Sequence, residues 1–191
     1  MDIKDLQTLY AAHPQIGAVA ALVKRGDARD VLLAGLHGSS RVVCTAALFG
    51  RLGGCLLCLM NDLEEAGYFY NDLVQLAGEG RVSFFPSAYQ RDIKYDHTDA
   101  ANEVLRTEAL AALQAANPEL IIVSYPDAVA ERVPARSTLQ KNTLELHTGE
   151  GVDPLFVSDV LDTYGFTQTD YVYEPGQYAV RGSIMDIFSY S

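Results

Sequence analysis

Two groups of residues in this sequence have types and spacing that could do chemistry, and the first centres on Arg181. Arg181 is the only Lys or Arg between residues 142 and 191. The same segment carries the carboxylates of Glu145, Glu150, Asp153, Asp159, Asp162, Asp170, Glu174 and Asp186. Because a guanidinium recognises oxyanions through paired hydrogen bonds, a lone arginine beside Gly182 is well suited to contact an anionic group on a partner.

The second group is a turn that has the outline of a phosphate-binding loop, formed by Gly35, Gly38, Ser39, Ser40 and Arg41. A functional loop of this kind needs a second glycine, then a lysine, then a Ser or Thr that ligates Mg²⁺. Those three positions hold Ser40, Arg41 and Val42, and valine cannot coordinate a metal. The sequence therefore predicts a degenerate phosphate loop that does not hydrolyse ATP, although the start of the following helix could attract an anion weakly.

The remaining chemistry-bearing residues do not form a catalytic or metal-binding pattern in the sequence. No histidine has metal-ligand spacing to another histidine or cysteine, and His97 lies in an acidic loop that we interpret as solvated. Cys55 and Cys58 have CxxC spacing, but they fall in a predicted strand, where alternation sends their side chains to opposite faces. We therefore expect no catalytic residue and no metal site.

The composition is ordinary for a soluble globular protein and disfavours a DNA-binding surface. The chain has 191 residues, a length that suffices for one domain and part of a second. Its formal net charge is −11, and 49% of its residues are hydrophobic. Because the charge is strongly negative, direct binding to DNA phosphates is disfavoured. We find no signal peptide and no membrane-spanning run, and the odd number of cysteines favours reduced thiols, so we expect a cytoplasmic location.

Apolar runs alternate with amphipathic segments in the first two thirds of the chain. Strands are predicted at 31–34, 55–60, 81–85 and 119–124. Helices are predicted at 2–12, 14–26, 41–52, 62–77, 99–116 and from Pro126 to before Pro134. This alternation predicts an α/β domain over residues 1–135, an open and mostly parallel sheet with flanking helices.

After Pro134 the pattern changes, and we predict part of a small α+β domain over residues 136–191. A strand is expected at 138–147, a helix at 153–164, and a β-hairpin at 171–188 that turns at Glu174-Pro175-Gly176. The hairpin carries Tyr171, Tyr173, Tyr178 and Arg181, residue types favoured at binding hot spots. Packing between strands explains the tyrosines equally well. We expect this domain to be cut short.

Residues 174–188, Glu-Pro-Gly-Gln-Tyr-Ala-Val-Arg-Gly-Ser-Ile-Met-Asp-Ile-Phe, resemble a signature shared by bacterial transcription-repair coupling factors (Mfd) and the excision-repair protein UvrB. Weaker similarities occur at Gly35 to Arg41, at 61–66, at Phe85-Pro86-Ser87 with Tyr95-Asp96, and at 123–134. The resemblance covers the chain from about residue 30 onward. Since UvrB has an intact phosphate loop, the degenerate loop here favours the coupling factors.

The resemblance implies a function that the residues alone do not give. It implies a UvrB domain 1a-like unit followed by a domain 2-like unit that docks onto UvrA in transcription-coupled nucleotide excision repair. The family's UvrA-contacting arginine falls on Arg181, and its motif neighbours Gly182 and Tyr178 are expected to contact UvrA with it. RNA polymerase, DNA, ATP and Mg²⁺ would be bound by parts of a longer protein, so this fragment would need no cofactor and would not be an enzyme.

A second hypothesis from a different class stays open at this point. The turn at residues 35–40 could belong to a nucleotide-binding region of a UvrB-like helicase or ATPase. Mg²⁺-dependent binding of ATP would favour that hypothesis, and Val42 argues against it.

Overall fold

The structure is a computed structural model that describes residues 3–89, 99–114 and 118–190. Its larger part is built around a three-stranded parallel sheet with the strand order β1-β3-β2. The strands are β1 (Cys55–Leu59), β2 (Val82–Phe84) and β3 (Leu120–Ser124). Every residue of the central strand β3 is buried, because it has a neighbour on each side and helices against the sheet. The predicted α/β class with a parallel sheet and flanking helices is confirmed for this part.

Helices precede, separate and follow these strands along the chain, close to their predicted positions. They are α1 (Ile3–Ala12), α2 (Pro14–Arg25), α3 (Ser40–Leu52), α4 (Leu63–Ala77), α5 (Ala100–Ala112) and α6 (Pro126–Ala130). The amide of Glu65 donates to Asp62 Oδ1 at 2.8 Å, so Asp62 caps α4. None of the helices in these described ranges combines the length and apolarity needed to span a bilayer.

Two predicted strands of this part differ from the structure. Residues 31–34 form no strand, and Leu32 is 91% exposed. An apolar run becomes a buried strand only when the fold supplies a pairing edge, which the periodicity of a sequence cannot reveal. β1 forms where an apolar run led us to expect a buried strand, but it lies at the sheet edge, with Leu57 and Leu59 more than half exposed.

The C-terminal part contains two helices and a second, smaller sheet with the strand order β4-β5-β6. Its elements are α7 (Arg136–Lys141), α8 (Pro154–Thr163), β4 (Thr167–Gln168), β5 (Gln177–Arg181) and β6 (Ile184–Phe188). The predicted strand at 138–147 is wrong, because its first residues form α7 and the rest has no regular structure. The helix α8 is confirmed, with the Asp153 carboxylate accepting from the Leu155 amide at 2.9 Å.

The hairpin also turns at a different place from the predicted one. β5 and β6 pair antiparallel with Arg181 opposite Ile184, so the turn is Gly182-Ser183 rather than Glu174-Pro175-Gly176. Gly182 has a φ of +64°, the left-handed region that tight two-residue hairpin turns require. The predicted first arm at 171–173 is not a strand; β5 instead pairs in parallel with β4.

Candidate interaction site on the C-terminal sheet

The hairpin separates its residues into an inner and an outer face. Opposite residues of an antiparallel pair project to the same side, and successive residues alternate. Tyr178 and Val180, with Met185 across from Val180, belong to the core cluster formed with α8. The other face therefore carries the pairs Gln177–Phe188, Ala179–Asp186 and Arg181–Ile184. Arg181 thus lies on the outer face, next to the turn.

Arg181 is held on this face by two neighbours. Its Nη2 donates a hydrogen bond to Asp186 Oδ2, a diagonal neighbour across the strand pair. Its guanidinium carbon lies 5.3 Å from the centre of the Tyr171 ring, within the range of a cation–π interaction. The Arg181 side chain nevertheless remains 50% exposed, so its charge is accessible to a partner.

Large apolar side chains share this face or lie beside the sheet, and they are also exposed. Ile184 is 62% exposed and Phe188 42%, and both lie on the outer face with Arg181. Tyr171 and Tyr173 are more than half exposed beside the sheet. A solvent-accessible arginine among aromatic and aliphatic side chains is the composition that protein interfaces favour. We refer to Tyr171, Arg181, Ile184 and Phe188 as the outer patch.

Tyr178 does not belong to the outer patch, which corrects the role expected for it. Its side chain is 1% exposed and its hydroxyl donates to Asp162 Oδ1 at 2.8 Å. This hydrogen bond, reinforced by burial, raises the pKa of Tyr178. Because it lies on the inner face, Tyr178 fastens the hairpin to α8 and cannot touch a partner in this conformation. Gly182, by contrast, is exposed at the turn beside Arg181.

The degenerate phosphate loop precedes α3, and the amide and hydroxyl of Ser40 are hydrogen-bonded within the turn itself. The Ser40 amide donates to His37 O at 3.2 Å, and the Ser40 hydroxyl donates to the same oxygen at 2.7 Å. Val42, at the position of the Mg²⁺ ligand, is 4% exposed and belongs to the main core. Gly35 and Gly38 have positive φ angles, and Ser39 makes no side-chain cap. The loop is therefore a closed turn rather than an open phosphate cradle.

Arg41, at the position of the phosphate-loop lysine, is bound to a carboxylate of the protein itself. Its Nη2 donates to Glu65 Oε1, while Glu65 Oε2 accepts from the Asn61 amide at 3.1 Å and from Asn61 Nδ2 at 2.7 Å. The hydrogen bond from Arg41, followed by that from the Asn61 backbone, lowers the pKa of Glu65. This arrangement joins the start of α3 to the start of α4.

A buried polar network was missed by the sequence reasoning. Arg106 is 7% exposed, donates to Pro86 O at 2.7 Å and to Ala128 O at 3.1 Å, and pairs with Glu131 at 3.1 Å. Glu131 also accepts from the Ser87 hydroxyl and, at 3.0 Å, from the Ala88 amide. The only signal was indirect: Ser87 and Glu131 fall within segments that carry the family resemblance. Since every member is paired, the network fixes the ends of β2 and α6.

No group of His, Cys, Asp and Glu that could hold a metal ion occurs among the residues that the structure describes. The acidic loop around His97, with Asp92 and Asp96, lies outside those residues, as does the Tyr95-Asp96 pair. Cys55 and Cys58 project to different sides of β1, since Cys55 is exposed and Cys58 packs against the main core.

Comparison with known proteins connects the C-terminal sheet to a family. Residues 144–191 match the family model of the UvrB interaction domain. A transcription-repair-coupling factor from Bacillus subtilis is 27% identical over 84% of the chain, and one from Escherichia coli is 23% identical over 87%. UvrABC system protein B from Ureaplasma parvum is 25% identical over 87% of the chain.

The chain spans only a small share of these relatives: 14% of the length of either coupling factor and 27% of the UvrABC system protein B. The matched family segment contains α8, the three strands of the smaller sheet and the whole outer patch. The resemblance predicted from the sequence is therefore confirmed: residues 144–191 match the UvrB interaction domain, and most of the chain is similar to transcription-repair coupling factors and to UvrB.

Proposed function

We propose that this chain is a non-catalytic docking module that binds UvrA through the outer patch of its C-terminal sheet. The observation that carries the proposal is the position of Arg181, exposed on the outer face of the hairpin next to Tyr171 and Ile184, with Phe188 exposed further along the same face. A charge with exposed apolar neighbours provides both directional hydrogen bonds and area to bury.

The geometry of the hairpin supports this role because it presents the outer patch on a well-fixed support. β5 is paired on both sides, with β4 and with β6, and its inner face packs on α8. A contact residue on a rigid strand needs little ordering when it binds, so less of the interaction free energy is lost.

The comparisons support the choice of partner. The family segment is described as a UvrB interaction domain, and relatives of this chain are named as coupling factors and as a component of the UvrABC system. In the proposed function the module brings UvrA to transcription-coupled nucleotide excision repair. RNA polymerase, DNA and ATP would be bound elsewhere in a longer protein, for which this chain would serve as the UvrA adaptor.

The residues at the end of the degenerate phosphate loop support a non-catalytic role. Arg41 is engaged by Glu65 and Val42 is buried, so the two positions that would hold phosphate and Mg²⁺ serve packing and helix attachment instead. In this proposal residues 1–135 are a scaffold, and these two positions count against the nucleotide-binding hypothesis.

Binding to purified UvrA, measured by biolayer interferometry, tests the proposal. We expect Arg181→Ala to weaken binding by about 2 kcal/mol or more, roughly 30-fold, because truncated hot-spot arginines cost at least that much. Arg25→Ala is the matched control: Arg25 is likewise exposed and paired with a nearby carboxylate, Asp27 at 2.8 Å, but it lies on α2.

The control variant should bind UvrA as the wild type does, and circular dichroism should show that both variants are folded. Equal losses for Arg181→Ala and Arg25→Ala would indicate a non-specific charge effect and remove Arg181 from the site. A folded wild-type chain without affinity for UvrA would refute the proposed function for this chain.

A further inference from the structure

We propose that Asp186 occupies, in the free protein, the position of a carboxylate that the partner supplies to Arg181. This inference rests on the proposed function and specifies the chemistry of the partner: an acidic side chain set in an apolar protein surface. Asp186 would then be a residue that lowers affinity and sharpens specificity rather than one that contributes binding energy.

The contact between Arg181 and Asp186 is suited to exchange. The two side chains are 50% and 42% exposed, so water reaches both partners of the pair. Exposed ion pairs contribute little free energy, because water and salt compete with them. A partner carboxylate that is desolvated in an interface can therefore replace Asp186 at small cost.

The Arg181 guanidinium has N–H donors left to bind a second oxyanion. Arginine has five N–H donors in a planar fork, and the bond to Asp186 uses Nη2. Within the described parts of the chain, Asp186 is the only hydrogen-bond acceptor that Arg181 engages. The Tyr171 ring 5.3 Å away supports the cation by its face, so the fork stays in position while its anion changes.

The surroundings favour a protein carboxylate over a phosphate backbone. The formal net charge of −11 repels a polyanion such as a phosphate backbone, and the single positive charge of Arg181 cannot compensate for this repulsion. Ile184 and Phe188 lie on the same face, more than two-fifths exposed, and they offer area to an apolar protein surface. A partner surface with one carboxylate among apolar side chains would complement Arg181, which lies next to Ile184 and Tyr171.

The test compares Asp186→Asn with the wild type in UvrA binding. Asparagine keeps the shape of the side chain but loses the charge that competes for Arg181. We expect binding to become about two- to fivefold tighter, the range that corresponds to removing an exposed ion pair. Glu174→Gln is the matched control, because it removes one negative charge from the same segment at an exposed position.

The variants separate competition at Arg181 from a general charge effect. Glu174→Gln should change affinity much less than Asp186→Asn, and the gain from Asp186→Asn should vanish when Arg181→Ala is added. If Asp186→Asn weakens binding or leaves it unchanged, Asp186 positions Arg181 or is irrelevant, and the inference is wrong although UvrA still binds. An equal gain in the control would also overturn it. Absence of wild-type binding would instead refute the proposed function, and this inference with it.

Discussion

At the residue scale, the sequence identified Arg181 correctly as an accessible cation but could not identify its neighbours. Which carboxylate lies beside it depends on the register of the hairpin, and that register follows from the turn at Gly182-Ser183. With the turn predicted at Glu174-Pro175-Gly176, Asp186 could not be paired with Arg181 from the sequence. The pairing of Arg181 with Asp186 therefore depends on the position of one turn, which the composition of the segment does not specify.

Tyr178 provides a test of how the hairpin is attached to α8. Its hydroxyl donates to Asp162 at 2.8 Å, so we expect Tyr178→Phe to lower the free energy of unfolding by about 1 kcal/mol. Tyr171→Phe is the control, because that ring is 59% exposed and should change stability by less than about 0.5 kcal/mol. Urea unfolding followed by circular dichroism measures both differences.

The same hydrogen bond has a definite pH dependence. The bond to Asp162 exists in the protonated phenol and raises the pKa of Tyr178 in the folded protein. Its contribution is therefore complete below the unfolded value near 10 and is lost as the pH rises through the higher folded value. A stability difference between wild type and Tyr178→Phe that persists unchanged in strong alkali would contradict this assignment.

The stability contributed by the Glu65 hydrogen bonds changes with pH in the opposite direction. Hydrogen bonds from Arg41 and the Asn61 backbone lower its pKa, so the stabilisation is present above the unfolded value near 4.3 and is lost as the pH falls through the lower folded value. We expect Glu65→Gln to be less stable than the wild type at pH 7 and equally stable near pH 2. Thermal unfolding at both pH values measures the change.

Glu64→Gln is the control for this measurement. Glu64 lies in the same first turn of α4 and is exposed, so its substitution removes the same charge near the helix start without breaking the contact to Arg41. A loss of stability equal to that of Glu65→Gln would indicate that the helix dipole, rather than the bond to Arg41, accounts for the effect.

At the element scale, local signals predicted most helices well and the strands unevenly: the strands predicted at 55–60, 81–85 and 119–124 form, whereas those at 31–34 and 138–147 do not. Asp62 and Asp153 each precede a helix and cap it, because a carboxylate can bond the free amides of the first turn wherever the chain lies. A strand instead needs a partner from a distant part of the chain. The apolar run at 31–34 lacks one and stays exposed, and alternation at 138–147 is overridden by the short helix α7.

The edge position of β1 predicts unequal reactivity of the three cysteines. Cys55 is exposed, whereas Cys44 is buried and burial raises the pKa of Cys58 to about 11. We expect iodoacetamide at pH 7.5 to alkylate Cys55 much faster than Cys44 or Cys58, because the thiolate is the reacting form and must be reached by the reagent. Mass spectrometry of timed samples measures the order.

Denatured protein is the control for the alkylation, since all three cysteines should then react at similar rates. Rapid modification of Cys58 in the folded protein would mean that β1 does not keep its inner face against the main core.

The closed turn before α3 predicts weak interaction with nucleotides. Its Ser40 amide and hydroxyl are both bonded to His37 O, and Arg41 is bonded to Glu65. We therefore expect isothermal titration with ATP and Mg²⁺ to detect no binding tighter than about 1 mM, a free energy of roughly −4 kcal/mol. Mg²⁺-dependent binding below that concentration would restore the nucleotide-binding hypothesis.

At the scale of the whole molecule, the described residues form separate buried clusters. The main cluster surrounds the parallel sheet and includes Phe49, Leu73 and Val123, whereas the C-terminal cluster contains Val157, Leu161 and Tyr178. We propose on this basis that residues 1–135 and 136–191 are two folding units, the division that the change of pattern after Pro134 predicts. Contacts between them exist, such as the bond of 3.4 Å from Arg136 Nη2 to Gln114 O.

Hydrogen exchange in two core variants tests whether these units open independently. Leu73 is fully buried in the main cluster and Leu161 is 5% exposed in the C-terminal cluster. Truncation of a buried leucine to alanine costs about 2–5 kcal/mol, enough to raise exchange rates by more than an order of magnitude. We expect Leu161→Ala to accelerate exchange only in residues 136–190 and Leu73→Ala only in the residues before 136.

Either variant serves as the control for the other, because the substitution is the same and only the cluster differs. If each variant accelerated exchange throughout the chain, the two clusters would form one cooperative unit, and the proposed division at residue 135 would be wrong. Independent opening would instead mean that the outer patch depends on the C-terminal cluster alone. Leu73→Ala should in that case leave UvrA binding unchanged at temperatures where Leu161→Ala already abolishes it.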